Sequence, residues 1–529
     1  MVQECDLSAK NGNNRLFFAT IQPWYRHCCV FLFQLMTNIN MDYLTQIIID
    51  INSILWGPWC LIPVLVGAGI FFTFQLRFVQ IRQFGRAFKH VFGGLSFNGE
   101  KAGNHGMTSF QSLATAVAAQ VGTGNLAGVA TAMAMGGPGA VFWMWLAAFF
   151  GMATIFSEAI LGQLYRTKDS EGRITGGPAY YIKHGLGNKP MAALFSILTI
   201  IALGFIGVMV QANSISTAFD SAFGIPTEIT GLFIIMLAGF IFIGGISRIA
   251  GFTEKLVPLM ASVYVLGAIY IMLTNYTEIL PTFKAIFVGA FSPSAATGGV
   301  IGATVKEAIR YGVARGLFSN EAGMGSTPHA HAVARVKHPV EQGLAAIVGL
   351  FIDTFVVLTA TALVIMVTGT LDGKTTGIML TQAAFVKGMG EAGSGFVAVC
   401  LFFAAFTTIV GWYFFAAQNV KYLFGYKVIN IFSVIVLCFL MTGSMLKVEL
   451  VWELADMFNG LMVIPNIIAV IGLYKLIIKA VNDYENRYLV GQDPIYGPSE
   501  SLTGRLAKVE ARRRHSHKAR RNKSQEMTH

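Results

Sequence analysis

Charge is scarce in this chain. Asp, Glu, Lys and Arg make up 12% of 529 residues, where soluble domains carry about 25%. That excludes an ordinary water-solvated globule. Cysteine is sparse as well, and the six present form no disulfide framework. Cys60, Cys400 and Cys438 lie in apolar runs, where a free thiol acts as a small hydrophobe, and Cys28-Cys29 has no partner spacing for a metal. Histidine is thin. His329 and His331 are an i, i+2 pair, which a helix points to different faces, so joint chelation with Glu321 is poor. A membrane-embedded hydrolase would need a nucleophile with a base or a metal cluster, and neither is legible. What the chain has instead is apolar residues, 54% of the total, and 57 glycines, with a mean hydropathy of +0.60. Abundant small residues suit closely packed membrane helices.

Apolar stretches of membrane-crossing length are predicted at 54–76, 107–135, 138–165, 191–218, 228–246, 256–274, 299–334, 340–368, 395–420, 428–446 and 449–478. This is one polytopic all-α membrane domain of about eleven crossings. Lys and Arg segregate between alternate loops. Twenty-eight fall in 77–105, 166–190, 247–256, 335–338, 421–427 and the tail from 475, against seven on the opposite side. The positive-inside rule then predicts an N-terminus outside and a C-terminus in the cytoplasm of a cell (inner) membrane. The stretch 299–317 is polar, with Lys306, Glu307, Arg310 and Arg315. It is either a helix half facing a water-filled vestibule or an amphipathic surface helix. Topology requires a crossing there.

Residues 1–40 hold an apolar patch, Cys28 to Met36, too short to span, and no signal-peptide cleavage site. The start lies at Met1 or at Met41, which intact mass would distinguish. The tail carries Arg512-Arg-Arg514 and Arg520-Arg521, a pattern that anionic lipid accounts for without nucleic acid.

Two crossings are interrupted by polar, glycine-rich runs: Gln120-Val-Gly-Thr-Gly-Asn125 and Ser319-Asn-Glu-Ala-Gly-Met-Gly-Ser326. Backbone at bilayer depth must be satisfied by something polar. A pair of interrupted helices in matching positions of two halves points to a transporter's binding site. At the first, Gly122 and Gly124 let a ligand approach the backbone. The helix half beginning there offers N–H groups to a carboxylate, and the half ending there offers carbonyls to Na⁺. Thr123 and Asn125 add side-chain oxygens. Close packing through Gly124 and Gly128 is the plainer alternative.

The second run makes the same offer through Ser319, Asn320, Glu321, Gly323 and Gly325, with Phe318 and Met324 as apolar neighbours. Glu321 is either functional or a structural carboxylate, paired with Arg315 or capping the broken helix. Further polar positions inside crossings are Glu158, Gln211 and Asp353. Each could be a cation ligand, a proton carrier or a buried strut; the first two read better as struts, Asp353 as a ligand. Ala404, Thr407 and Thr408 place a carbonyl and two hydroxyls on one helix face, a half-shell for Na⁺, unless the hydroxyls bond back to their own helix. Trp412 follows at i+4 from Thr408.

Gly136-Gly-Pro-Gly-Ala-Val-Phe-Trp-Met-Trp-Leu146, Val121-Gly-Thr-Gly-Asn-Leu-Ala-Gly128 and Arg315-Gly-Leu-Phe-Ser-Asn-Glu-Ala-Gly-Met-Gly-Ser326 resemble the signatures of the alanine or glycine:cation symporters, over residues 45–480. The resemblance implies a five-plus-five inverted repeat, the leucine-transporter fold, with one extra N-terminal helix. Its divisions would be an extension at 1–40, the extra helix and a basic loop at 41–106, repeats at 107–274 and 299–478, and a basic tail at 479–529. It implies that Thr123 and Gly124 bind the substrate carboxylate by backbone N–H, with Asn125 close to the substrate-side ion. The carbonyls of Ala118, Val121 and Ala404 and the hydroxyls of Thr407 and Thr408 would form a Na⁺ site. Phe318, Met324 and Trp412 would wall a small side-chain pocket. Gln120 departs from the related fold, where a small residue stands.

The expected function is import of a small neutral amino acid, alanine or glycine, with Na⁺ as coupling ion and no other cofactor. A proton-coupled carrier of the same fold is the alternative, with Glu158 or Asp353 titrating. A passive channel is disfavoured by two broken helices in one chain. Which amino acid is taken and the oligomeric state are not legible.

Overall fold

The structure, a computed structural model, describes residues 41–496 apart from 58, 94–106, 170–171, 244, 293–303, 447 and 493. The readings of residues 1–40 and of the basic tail motifs lie outside the described residues. The described chain is helical, with one two-residue hairpin, Thr167–Lys168 against Ile174–Thr175. The helices are α1 Met41–Leu55, α2 Leu61–Gln75, α3 Phe84–Phe92, α4 Ser109–Gln120, α5 Val129–Gly136, α6 Gly139–Leu164 and α7 Pro178–Gly185. They continue with α8 Lys189–Phe223, α9 Thr227–Ile243, α10 Gly245–Thr274 and α11 Ile279–Phe291. The second half has α12 Val305–Asn320, α13 Pro328–Val333, α14 Pro339–Val367, α15 Gly377–Met389, α16 Ala392–Phe424, α17 Ile429–Met445, α18 Val448–Gly472 and α19 Tyr474–Asn486. Among the described residues, seven helices are long and apolar enough to cross a membrane by themselves.

Matching helices of the two halves pack against each other in opposite directions. Along α4–α5 and α12–α13, Ser112 donates to Ala330 O (2.8 Å), Gln120 donates to Asn320 O (2.7 Å), and Gly136 lies on Ala308. Along α6 and α14, Trp145 donates to Thr359 (2.9 Å), Gly151 faces Leu350, and Phe156 covers Gly343. Gly204 meets Ala416 and Phe223 meets Gly395 between α8 and α16, while Gly231 meets Ser444 and Gly239 meets Leu437 between α9 and α17. As one number rises along each pair, its partner falls. Counterparts that pair antiparallel about a common axis define an inverted-topology repeat.

Small residues make this packing possible. A Cβ on Gly139 would stand 2.2 Å from the backbone of Gly289, and one on Gly312 would stand 2.6 Å from Ala140 O. Gly139 of the 136–146 signature is therefore a point of backbone contact between α6 and α11, as Gly312 is between α12 and α6. The most apolar window of α16 is 72% buried, against 28% for α10. α16 is central, and α10 presents its side chains outward.

Three expectations change. Of the crossing predicted at 54–76, residues 54–55 end α1 and the next helix starts at Leu61; α1 packs on α18 through Asn52 and Glu453 (2.7 Å). The segment 247–256, predicted as a loop, is already helical within α10, with Arg248 stacked on Phe240 (4.4 Å). The crossing predicted from 299 is helix from Val305, started by a capping box between Thr304 and Glu307. Lys306 and Arg310 line a cavity of about 480 Å³ with Trp56 and Trp143.

Candidate functional site

The first break begins where α4 runs out of donors. Val121 N–H closes the last α4 bond to Val117 O (2.7 Å), and Val121 turns extended at φ −78° and ψ 93°. The next N–H, of Gly122, would ordinarily bond Ala118 O. It donates to the Asn125 side chain instead (2.9 Å). The Ala118 carbonyl is thereby left at a helix end without its usual partner. Thr408 of α16 fills the position: its hydroxyl is 2.9 Å from Ala118 O, 3.2 Å from Ala404 O and 3.5 Å from Val121 O. Ala118, Val121, Ala404 and Thr408 are thus brought to one point. Both threonine hydroxyls bond back to Ala404 O, Thr407 at 2.8 Å, but of the two only Thr408 also reaches the α4 carbonyls.

Both glycines of this break are points of contact. A Cβ on Gly122 would fall 2.3 Å from the Thr408 hydroxyl oxygen, and one on Gly124 would fall 2.9 Å from Ser319 Cα. The chain then winds through one π turn, Gly124–Gly128, before α5. Two other π segments, Ile200–Gly207 and Phe351–Leu358, lie against the same region; such turns recur at functional sites. Thr123 N–H donates to Gln211 Oε1 (3.2 Å). The N–H that the resemblance gives to a substrate carboxylate is therefore engaged by an amide oxygen.

At the second break α12 ends with Glu321 N–H on Leu317 O (2.9 Å), and Glu321 takes a left-handed conformation at φ 58°. A non-glycine residue there is strained and persists only when its surroundings hold it. They do: the Glu321 carboxylate accepts from Ser326 and from the Trp412 indole. It does not pair with Arg315. Gly323 (φ 91°) and Gly325 (φ 79°) complete the turn in conformations that favour glycine. Gly323 faces away from the first break, towards Leu65 and Ile467. Its N–H donates to Glu158 (3.2 Å), and Asn466 clamps it from α18 by donating to Gly323 O (2.9 Å) and to Glu158. Glu158 and Asn466 hold the shape of this break. Met324 is fully buried, with its N–H on Glu321 O (3.1 Å).

The two breaks meet at Asp353, on the π segment of α14. Its carboxylate accepts from Asn125 (2.7 Å), Ser319 (2.9 Å) and Thr354 (2.7 Å). Asn320 reaches Thr354 (3.4 Å) and caps Ala322 N–H (3.1 Å). Among the described residues, Thr123 Oγ1, Gln120 Oε1 and Gln211 Nε2 are buried without a partner. All three lie at or beside the first break.

Aromatic rings close one side. Phe318 packs edge-on to Trp412 (5.4 Å) and against Trp452 (4.8 Å). Trp412 in turn rests on Gly207, where a Cβ would be 2.3 Å from its ring. Arg315 lies over Trp452 (4.6 Å) and pairs with Asp456 (2.5 Å), both almost wholly buried. Asp456→Ala would strand a buried guanidinium, at a cost of about 3–5 kcal/mol. Thermal unfolding of the detergent-solubilised protein is expected to show a clear fall in Tm; an unchanged Tm would remove the pair from any structural role.

Of the residues singled out from sequence, Gly122, Thr123, Gly124, Asn125, Ser319, Asn320, Asp353, Ala118, Val121, Ala404 and Thr408 converge, with Phe318 and Trp412 beside them. Thr407 touches the cluster only through Ala404 O, and Gly323 faces Leu65 and Ile467. Trp452, Thr354, Gly207 and Asn466 were missed. Asn466 had a signal, an amide inside an apolar crossing; Gly207 had none, since one glycine in an apolar helix is ordinary.

Residues 41–497 match the sodium:alanine symporter family. The chain is 40% identical over 455 residues to "Sodium/alanine symporter AgcS" of Methanococcus maripaludis, covering 84% of this chain and 98% of that one. It is 39% identical over 447 residues to "Probable sodium/glutamine symporter GlnT" of Bacillus subtilis, covering 84% and 91%. A solved structure of MhsT with L-phenylalanine aligns over 72% of this chain and 91% of that one, with a TM-score of 0.49 and 13% identity. The protein is a multi-pass membrane transporter for amino acids coupled to a cation, and not an enzyme. By sequence over nearly all of its membrane domain, the chain belongs to the sodium:alanine symporter family.

Proposed function

We propose that this protein imports a small neutral amino acid, alanine or glycine, with Na⁺, and that both bind between the two helix breaks. The observation that carries the reading is the meeting of Ala118 O, Val121 O, Ala404 O and the Thr408 hydroxyl at the end of α4. A set made only of oxygens suits a hard cation, and broken-helix carbonyls are where such transporters hold Na⁺. The substrate carboxylate takes the place of the Gln211 amide oxygen at Thr123 N–H, next to Gly124. The side chain lies towards Phe318 and Trp412, and their bulk leaves room for a small one.

Na⁺ bridges oxygens of α4 and α16, which already meet through Thr408 and Ala118 O, and so favours one arrangement of the bundle. The amino acid then bridges the breaks, and closure on one side permits opening on the other. The N-terminus faces outside and the C-terminus the cytoplasm, as the segregation of Lys and Arg supports.

A second ion has a candidate ligand in Asp353. A carboxylate at membrane depth takes a cation or a proton, and Asn125, Ser319 and Thr354, which donate to it, are all neutral. Labelled L-alanine uptake into proteoliposomes separates the readings. Concentrative uptake under an inward Na⁺ gradient, and none with choline at fixed pH, is expected. Uptake driven by a pH gradient without Na⁺ would move coupling to Asp353. Asp353→Asn is expected to lower Na⁺-driven uptake at least about tenfold; full activity would exclude Asp353 from the ion pathway.

A further inference from the structure

Helix α18 carries an amide that the site described so far leaves unused. Asn459 is 2% exposed, and neither its Oδ1 nor its Nδ2 has a hydrogen-bond partner. Buried polar groups are almost always paired, and an unpaired carboxamide in an apolar setting is costly. Asn459 therefore needs a partner that is not one of the protein's own groups.

Its position says where that partner sits. Trp452, Asn459 and Asn466 follow at i, i+7 and i+14, within about 40° of one helix face. Trp452 packs on Phe318, just before the second break. Asn466 donates to Gly323 O (2.9 Å), inside it. Asn459 lies seven residues from each of them, on the same helix face. Neighbouring positions of α18 are engaged elsewhere: Gly460 lies on Leu55 and Leu61, Asp456 O accepts from Trp56 (3.2 Å), and the Asp456 carboxylate pairs with Arg315. Across the site, Gln211 Nε2 and Thr123 Oγ1 are also buried and unpartnered.

Resting on the symport reading above, we infer that Asn459 is a specificity-determining residue that hydrogen-bonds the substrate's side chain. Backbone N–H groups and carbonyls at the breaks serve the carboxylate and ammonium, which every amino acid shares. A carboxamide adds one acceptor and two donors, matched to a small side chain bearing a hydroxyl. A methyl group leaves it unpaired. The substrate class accordingly includes small hydroxylated amino acids, with serine as the probe. A site that bonds a substrate hydroxyl discriminates strongly against its loss, and an apolar one does so weakly.

The test measures Na⁺-driven uptake of labelled L-serine and L-alanine into proteoliposomes, for the full chain and for Asn459→Leu and Asn459→Thr. Serine is expected to enter through the unaltered protein. The serine-to-alanine ratio of uptake efficiencies is expected to fall about tenfold in Asn459→Leu. Asn459→Thr, which keeps a donor and an acceptor, is expected to recover much of that ratio. If the leucine variant fails to insert, Asn459→Ala reads the same ratio. Alanine flux with serine excluded from the unaltered protein, or a ratio unmoved in the apolar variants, overturns the assignment and leaves the symport reading intact. No flux of either amino acid in the unaltered protein overturns the symport reading and the inference with it.

Discussion

Gly124→Ala is expected to abolish amino-acid uptake while leaving the protein in the membrane. The added Cβ would stand 2.9 Å from Ser319 Cα, and the obstacle is backbone, which cannot rotate aside as a side chain can. The two breaks must separate. Three hydrogen bonds cross between them or meet at Asp353: Gln120 to Asn320 O, Asn125 to Asp353, and Ser319 to Asp353. At about 1 kcal/mol each their loss amounts to about 3 kcal/mol, or roughly 100-fold in affinity. Gly124→Leu would act more severely. Membrane insertion depends on the apolar helices, which the substitution does not touch. Initial rates of labelled alanine uptake, normalised to protein in the vesicles, give the result. Near-normal uptake would mean that the substrate does not bind between the breaks.

Thr408→Ala is expected to raise the Na⁺ concentration for half-maximal uptake roughly tenfold, the loss of one oxygen ligand. Thr408→Ser, which keeps the hydroxyl, is expected to stay close to the unaltered protein. Thr407→Ala makes the contrast sharper, because the Thr407 hydroxyl is spent on Ala404 O and does not reach α4. Sequence alone treats the two threonines alike; the structure separates them. A Na⁺ titration of uptake at saturating alanine measures all three. An unchanged Na⁺ requirement in Thr408→Ala would displace the cation from this cluster.

Much of the broken-helix core was readable before any coordinates. Polar, glycine-rich runs inside apolar crossings are conspicuous because bilayer-depth backbone tolerates no casual irregularity. Residues within or next to such runs, such as Asn125 and Ser319, inherit that visibility. Glu321 was visible too, and of the alternatives open to it the structure takes the cap of the broken helix rather than the pair with Arg315. Arg315 is only six positions away in sequence, yet the α12 helix carries it up to Asp456, and Glu321 turns instead to Ser326 and Trp412. Element boundaries were weaker where helices carry charge. The start of α10 reads as a loop because Arg248, Glu254 and Lys255 lower its hydropathy, although a helix can project such side chains outward.

The sequence by itself determined the class of molecule, the two interruptions, their place at the start of matching halves and, through its motifs, the family. These are properties of composition and local order, and they survive without knowing which helix touches which. Only the tertiary structure decided which partners meet. Asp353 gathers Asn125 and Ser319, Gln211 takes the Thr123 N–H, and α18 brings Trp452 and Asn466 to the second break. The physical reason is that helix pairing in a membrane depends on the fit of small residues, as where Gly207 receives Trp412 and Gly124 meets Ser319. One glycine in an apolar helix does not announce what will lie against it.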